Sequence, residues 1–302
     1  MPGIFHRPLN RREFLARSAK GLAAGALASG YFAIGTTAAD SDSSLHMALF
    51  SDTHAAADPK SENRKFIPTE NLKLVVAQIR EARPQAALLN GDLARLTGEL
   101  EDYRAVEGLL APLAEQCPIY FSMGNHDNRE NCLKVFHPPA VLAQKIAEKH
   151  VMVVEQPLLR LVILDSLLFV NKVQGLLGKA QRDWLDKFLA KSDARPTLLF
   201  VHHTLGDNDG ELLDAEALFR IVRPYAKVKA IFYGHSHEYS FRQDHGIHLV
   251  NLPAVGYNFS DKEPVGWVNA RFSAQGAELT LRAFGGNRAQ DGRTTALNWR
   301  NS

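Results

Sequence analysis

Leu45-His46-Met47-Ala48-Leu49-Phe50-Ser51 runs directly into Asp52-Thr53-His54. The first seven residues read as a strand, and the polar pair that follows reads as its C-terminal loop. Side chains two apart on an extended segment share a face, so Asp52 and His54 can point at one centre. The same arrangement recurs along the chain. Ala86–Leu89 precedes Asn90-Gly91-Asp92, and Ile119–Met123 precedes Gly124-Asn125-His126-Asp127. Thr197–Val201 precedes His202-His203, and Ala230–Tyr233 precedes Gly234-His235-Ser236-His237. Helical patterns separate several of these strands: Thr69–Arg83, with Leu72, Val75, Val76 and Ile79 on one face, then Glu101–Leu113, Gln181–Ala190 and Leu212–Arg223. Leu161–Leu164 reads as one more short strand. Alternation of this kind implies parallel pairing with helices covering the sheet, and such sheets place ligand sites at the C-terminal ends of their strands. Glycines at 91, 124 and 234 suit a backbone that turns sharply off a strand.

Beyond residue 245 the pattern changes. Ile247–Leu252, Trp267–Phe272 and Leu279–Phe284 follow one another with turn residues and no helix, which predicts an antiparallel closing segment. From Gly285 the chain is polar, and 286–302 reads as a frayed tail.

The residues at the strand ends are Asp, His and Asn, without Cys. Oxygen and imidazole donors suit Mn, Fe or Zn rather than soft-metal or calcium sites. Two divalent ions about 3.5–4 Å apart need a carboxylate between them, and Asp92 is the natural candidate. Taken singly, each piece has a bland reading: Gly-Asp is a turn, Asp-x-His a surface accident, a buried histidine a satisfied core residue. The ordered set of five resembles the signature of the calcineurin-like metallophosphoesterases, over roughly residues 45–285.

That resemblance implies an α/β fold, a four-layer α-β-β-α sandwich of two mixed β-sheets flanked by helices. It also implies two divalent ions, one held by Asp52, His54, Asp92 and His237, the other by Asp92, Asn125, His202 and His235. In the family a hydroxide bridging the ions attacks phosphorus. His126 matches the histidine that stabilises the transition state or protonates the leaving oxygen, and Asp127 is placed to orient it. Either His202 or His203 could be the binder; the family's first histidine usually is, which favours His202 and leaves His203 near the substrate. Gly91-Asp92-Leu93, Glu101-Asp102-Tyr103, Gly124–Arg129 and Leu164-Asp165-Ser166 resemble the bacterial cyclic-nucleotide phosphodiesterase-like subgroup. Purple acid phosphatases carry a tyrosine where this chain has Arg95.

Arg95 and Arg129 lie just past ligand motifs, and either could contact phosphate through its guanidinium fork or be a solvated loop residue. Tyr257, Asn258 and Phe259 could line a base or headgroup pocket, or be loop aromatics. Asp165 reads as structural. Cys117 and Cys132 could bridge in an oxidising compartment, or Cys117 could be a buried thiol. The activity implied is hydrolysis of small phosphodiesters: cyclic nucleotides, nucleotide derivatives or lipid headgroups. A phosphomonoesterase on the same site, or a metal-binding interaction module without turnover, are the alternatives.

Of 302 residues, 45% are hydrophobic and 23% charged, globular proportions that exclude global disorder. Two cysteines exclude a disulfide scaffold and a thiolate zinc cluster. Residues 1–39 hold five basic residues and one acidic, so the rest carries 30 basic against 32 acidic, a charge of −2. Such a body offers no bulk charge for a nucleic-acid polymer. The leader itself pairs Arg11-Arg12 with Phe14-Leu15, continues with an Ala/Gly-rich apolar stretch from Gly21 to Gly35, and ends on Thr37-Ala38-Ala39. It resembles a twin-arginine signal peptide, with 40–44 as a polar spacer, and implies the twin-arginine translocon as a partner and a periplasmic or secreted location. An uncleaved leader would leave the chain anchored. Oligomeric state stays open.

Overall fold

The computed structural model describes residues 44–301 apart from Asp207 and Asp209. The leader and most of the spacer lie outside the described residues.

Three strands open the first sheet: β1 (Leu45–Phe50), β2 (Ala86–Asn90) and β3 (Ile119–Ser122), paired in parallel. Between them run α1 (Pro68–Ala82) and α2 (Leu100–Ala114), and α3 (Arg129–Val135) follows β3. Pro68 starts α1, where its missing N–H costs nothing, and Arg83 in left-handed conformation stops it. The chain then builds the second sheet from β4 (Ala143–Ile146), β5 (Lys149–Glu155), β6 (Arg160–Ile163), β7 (Thr197–Phe200), β8 (Val228–Tyr233), β9 (Ser240–Asp244) and β10 (Ile247–Asn251). Helices α4 (Lys179–Lys191) and α5 (Ala215–Val222) cross between its parallel strands β6, β7 and β8. Finally β11 (Pro264–Phe272), β12 (Gly276–Gly286) and β13 (Thr294–Asn298) return antiparallel to the first sheet.

The strand orders are β13-β12-β11-β1-β2-β3 and β4-β5-β6-β7-β8-β10-β9. Both sheets are mixed, and helices flank them on the outside, as expected.

Burial explains the layers. Along β1, Leu45, Met47 and Leu49 face the second sheet, where they meet Met152, Ile163, Phe200 and Phe232. Ala48 and Phe50 face the other way, against Leu72, Val76 and Ile79 of α1 and Val106 of α2. Strand β7 does the same: Leu198 and Phe200 point inward, while Leu199 packs with Leu185 of α4 and Leu218 of α5. A strand buried on both faces is apolar at nearly every position, which is why these runs do not alternate.

Two expectations need correction. The polar stretch after Gly285 is not simply frayed: Thr294–Asn298 adds a strand along β12. Ile247–Asn251 is not part of the antiparallel closing segment: as β10 it sits in the second sheet, parallel to β8 and antiparallel to β9. Cys117 and Cys132 are both buried free thiols.

Candidate metal centre

The C-terminal ends of β1, β2 and β3 in one sheet and of β7 and β8 in the other meet in one cleft. Backbone bonds lace the loops together. Asp52 N–H donates to the Gly91 carbonyl at 3.1 Å, His54 N–H to the Asp92 carbonyl at 3.0 Å, and Gly234 N–H to the His202 carbonyl at 2.8 Å. Asn90 joins the two sheets: its side-chain amide donates to the Val201 carbonyl at 3.1 Å, and its own carbonyl accepts from His202 Nδ1 at 2.8 Å.

The backbone is strained where it presents the donors. Asp52, His54, Asp92, His235 and His237 have φ of 55°, 45°, 49°, 71° and 55°, in the left-handed region that L side chains avoid. Each such residue costs about 1–3 kcal/mol and persists only where the surroundings hold it. Gly124 is required by closeness instead: a Cβ there would lie 2.2 Å from Asp92 Oδ1 and 2.6 Å from His202 Nε2.

Three overlapping trios of donors emerge: the ligating atoms of Asp52, His54 and His237, of His54, Asp92 and His126, and of Asp92, His202 and His235 each lie within 4.8 Å of one another. Asp92 Oδ2 lies 3.7 Å from His54 Nε2 and 3.3 Å from His202 Nε2, between the two groups. Its other oxygen accepts the His126 N–H at 2.8 Å. This is the position a bridging carboxylate needs.

The fit to cations rests on lone pairs without partners. Asp52 Oδ1, Asn125 Oδ1 and His202 Nε2 are buried and make no hydrogen bond. The rings are turned so that nitrogen lone pairs face inward, because their outer nitrogens are engaged by backbone carbonyls, which only accept. His202 Nδ1 donates to Asn90 at 2.8 Å, His237 Nδ1 to Tyr257 at 2.6 Å and His235 Nε2 to Gly210 at 2.8 Å. Such outer bonds fix the tautomer of a metal-binding imidazole. His54 and His237 bring their Nε2 atoms to 3.1 Å, a spacing a shared cation accommodates.

Electrostatics agree. Burial alone would raise the Asp52 carboxyl, but the rings of His202 and His237 outweigh it and hold it well below the usual carboxylate range. Asp92 is likewise held down, against burial, by His202 and His54. Burial opposes charge on His202, yet Asp92 and Asp52 push it up to about 10. His54, for which burial dominates, falls to about 3.

His126 stands at the edge of the same cleft, half-buried, with Nδ1 donating to the Leu96 carbonyl at 2.7 Å and Nε2 left for the cleft. Asp127 does not orient it. Its carboxylate is buried and accepts from Gly124 N–H at 2.9 Å, Leu93 N–H at 3.1 Å and the Tyr103 hydroxyl at 3.0 Å. It fastens the β2 and β3 loops to α2, and the orienting oxygen belongs to Leu96. Arg129 also turns away from the cleft: it donates to Asp165 at 2.6 and 2.8 Å and to the Leu167 carbonyl. His203 is fully buried behind the centre, in hydrogen-bond contact with Ser166 Oγ at 2.7 Å. Arg95 is exposed beside Leu96 and His126, lining a small pocket against His54 and Tyr257.

Reasoning from sequence missed Asn90, Tyr103 and the carbonyls of Leu96, Gly210 and Tyr257. Asn90 had a signal, since it precedes Gly91-Asp92 directly. A carbonyl has none, because every residue carries one.

Comparison with known proteins follows this geometry. A family model described as calcineurin-like phosphoesterase matches residues 45–239. A probable cyclic nucleotide phosphodiesterase of Synechococcus is 26% identical over 242 residues, covering 77% of this chain and 89% of its own. The glycerophosphodiester phosphodiesterase GpdQ of Enterobacter lignolyticus is 26% identical over 234 residues, covering 72% and 81%. Among solved structures, a dimetal phosphatase from Danio rerio superposes with a TM-score of 0.66 at 16% identity, covering 86% of this chain and 100% of that one.

Proposed function

The chain belongs to the calcineurin-like phosphoesterase family of phosphate-ester hydrolases, and from that premise we propose that it cleaves small phosphodiesters, cyclic nucleotides first among them, with two divalent ions. The observation that carries this reading is the set of donors gathered around Asp92, with Asp52, His54 and His237 to one side and His202 and His235 to the other, and with Asp52 Oδ1, Asn125 Oδ1 and His202 Nε2 making no hydrogen bond. Asp52, His54, Asp92 and His237 would hold one ion, and Asp92, Asn125, His202 and His235 the other. Divalent ions of the Mn, Fe or Zn type would lower the pKa of water and neutralise charge on phosphate oxygens.

The chain's own groups do the rest. His126, its ring set by the Leu96 carbonyl, offers Nε2 to the ester oxygen that departs and can hold or hand over the proton there. Asp92, accepting the backbone N–H of His126, ties that residue's main chain to the donor cluster. The names of relatives support a diester: both curated relatives quoted above are phosphodiesterases. We also propose export, on the strength of Arg11-Arg12 and the small-residue site at 37–39.

The test is the purified protein reconstituted with Mn, Fe or Zn, its metal content counted, and its rates compared on cyclic nucleotides, glycerophosphodiesters and monoesters. Two ions per chain and faster diester cleavage are expected. Faster monoester cleavage would make it a monoesterase, and two bound ions with no cleavage would make it a binding module. Fractionation of cells with and without the twin-arginine translocon tests export.

A further inference from the structure

One wall of the cleft carries an aromatic side chain that the centre itself does not use. Phe259 is 52% exposed, although it lies at the cleft beside His237, with ring centroids 4.2 Å apart and planes 23° from parallel. The guanidinium carbon of Arg64 lies 4.9 Å from the centroid of the same ring. Val173, also 52% exposed, lines the cleft with it. Placed at the lip of a polar cleft, these two side chains give a bound ligand apolar surface to cover.

The loop that carries Phe259 is fixed in advance. Val255 N–H donates to the Ser51 carbonyl at 2.9 Å and Gly256 N–H to the Asp52 carbonyl at 2.8 Å. The Asn71 side chain donates to the carbonyls of Val255 and Gly256 at 3.1 and 2.8 Å. The ring is therefore tied to the same backbone that presents Asp52, so little ordering is left to be done when a ligand arrives.

We propose that Phe259 and Arg64 form a shelf that selects diesters carrying a nucleobase, the base stacking against the exposed guanidinium that lies over the ring or taking its place there. A flat π-system can use both planar groups, the phenyl by stacking and the guanidinium by cation–π attraction. A saturated alcohol headgroup can use neither, and an ammonium headgroup can use only the phenyl face, by cation–π attraction, while the guanidinium repels it. This rests on the phosphodiesterase reading above and names the arm of the substrate that the rim recognises.

The experiment compares kcat/KM for 3′,5′-cyclic AMP and for glycerophosphoethanolamine in the metal-reconstituted enzyme and two variants, with metal content measured throughout. Phe259→Leu keeps an apolar group against His237 but removes the π face. It should hold its metal and lower the cyclic AMP to glycerophosphoethanolamine ratio roughly 5- to 100-fold, chiefly through KM. Phe259→Trp should retain or raise that ratio. An unmoved ratio in Phe259→Leu, or a wild-type enzyme that prefers glycerophosphoethanolamine, would overturn the shelf while leaving the diesterase standing. A wild type that cleaves neither diester would overturn the reading beneath it.

Discussion

At the floor of the cleft six of the seven proposed donors are buried, and five of the seven sit in left-handed backbone. At its rim, Arg95, Leu96 and Phe259 stand substantially in solvent on loops of ordinary polarity. The floor is a place where alternatives have been removed: tautomers are set, close approaches admit only glycine, and the carboxyls of Asp52 and Asp92 are held below their usual range by the histidines around them. The rim is a place where alternatives remain, and a substitution there changes what is bound more readily than whether chemistry happens.

That contrast can be broken most directly at Asp92. Asp92→Ala removes the oxygen lying between the two donor groups, so both ions should be lost, with turnover falling roughly 10³-fold or more. Metal analysis that still finds two ions per chain would end its bridging role. His126→Ala comes next. Turnover should drop about 10²–10⁴-fold with metal retained, and parallel loss of metal would make His126 a ligand.

Asp127→Ala tests the floor's scaffold. It strands three backbone N–H groups, those of Leu93, Ala94 and Gly124, and the Tyr103 hydroxyl in a buried site, at about 1–3 kcal/mol for each unsatisfied donor. Thermal unfolding should show the midpoint falling by several degrees or more, while the folded fraction keeps a pH–rate profile of unchanged shape; a shifted profile would restore Asp127 as the partner of His126. The smallest effect belongs to the rim. Leu96→Ala trims a side chain 48% exposed but keeps the carbonyl that holds His126, so kcat should stay within about twofold, as for ordinary surface changes.

How far the sequence was legible follows the same division. Strands β1, β2, β3, β7 and β8 announce themselves because both faces are covered, leaving mainly apolar runs that end in polar loops, with His46 and Lys229 as buried polar interruptions. Edge strands β4, β9 and β13 cover only part of a face and contain residues such as Gln144, Lys145, Arg242, Gln243 and Thr294, so no apolar period marks them. At the centre, donors are legible because their side chains are the chemistry. Arg129 and Asp127 were misread because their true partners are far along the chain: Asp165 is 36 residues from Arg129, and Tyr103 is 24 from Asp127. Adjacency to a motif is visible in one dimension, whereas an ion pair or a staple exists only after folding.

The rings of His126, His202, His235 and His237 are all steered by main-chain oxygens, those of Leu96, Asn90, Gly210 and Tyr257. A point substitution can delete a carboxylate, but it cannot delete a carbonyl. Most of the residues that supply this steering are therefore free to drift in identity so long as the loop keeps its course. A lineage built on this scaffold can rewrite its rim for new esters while its imidazoles inherit the same protonation pattern unchanged.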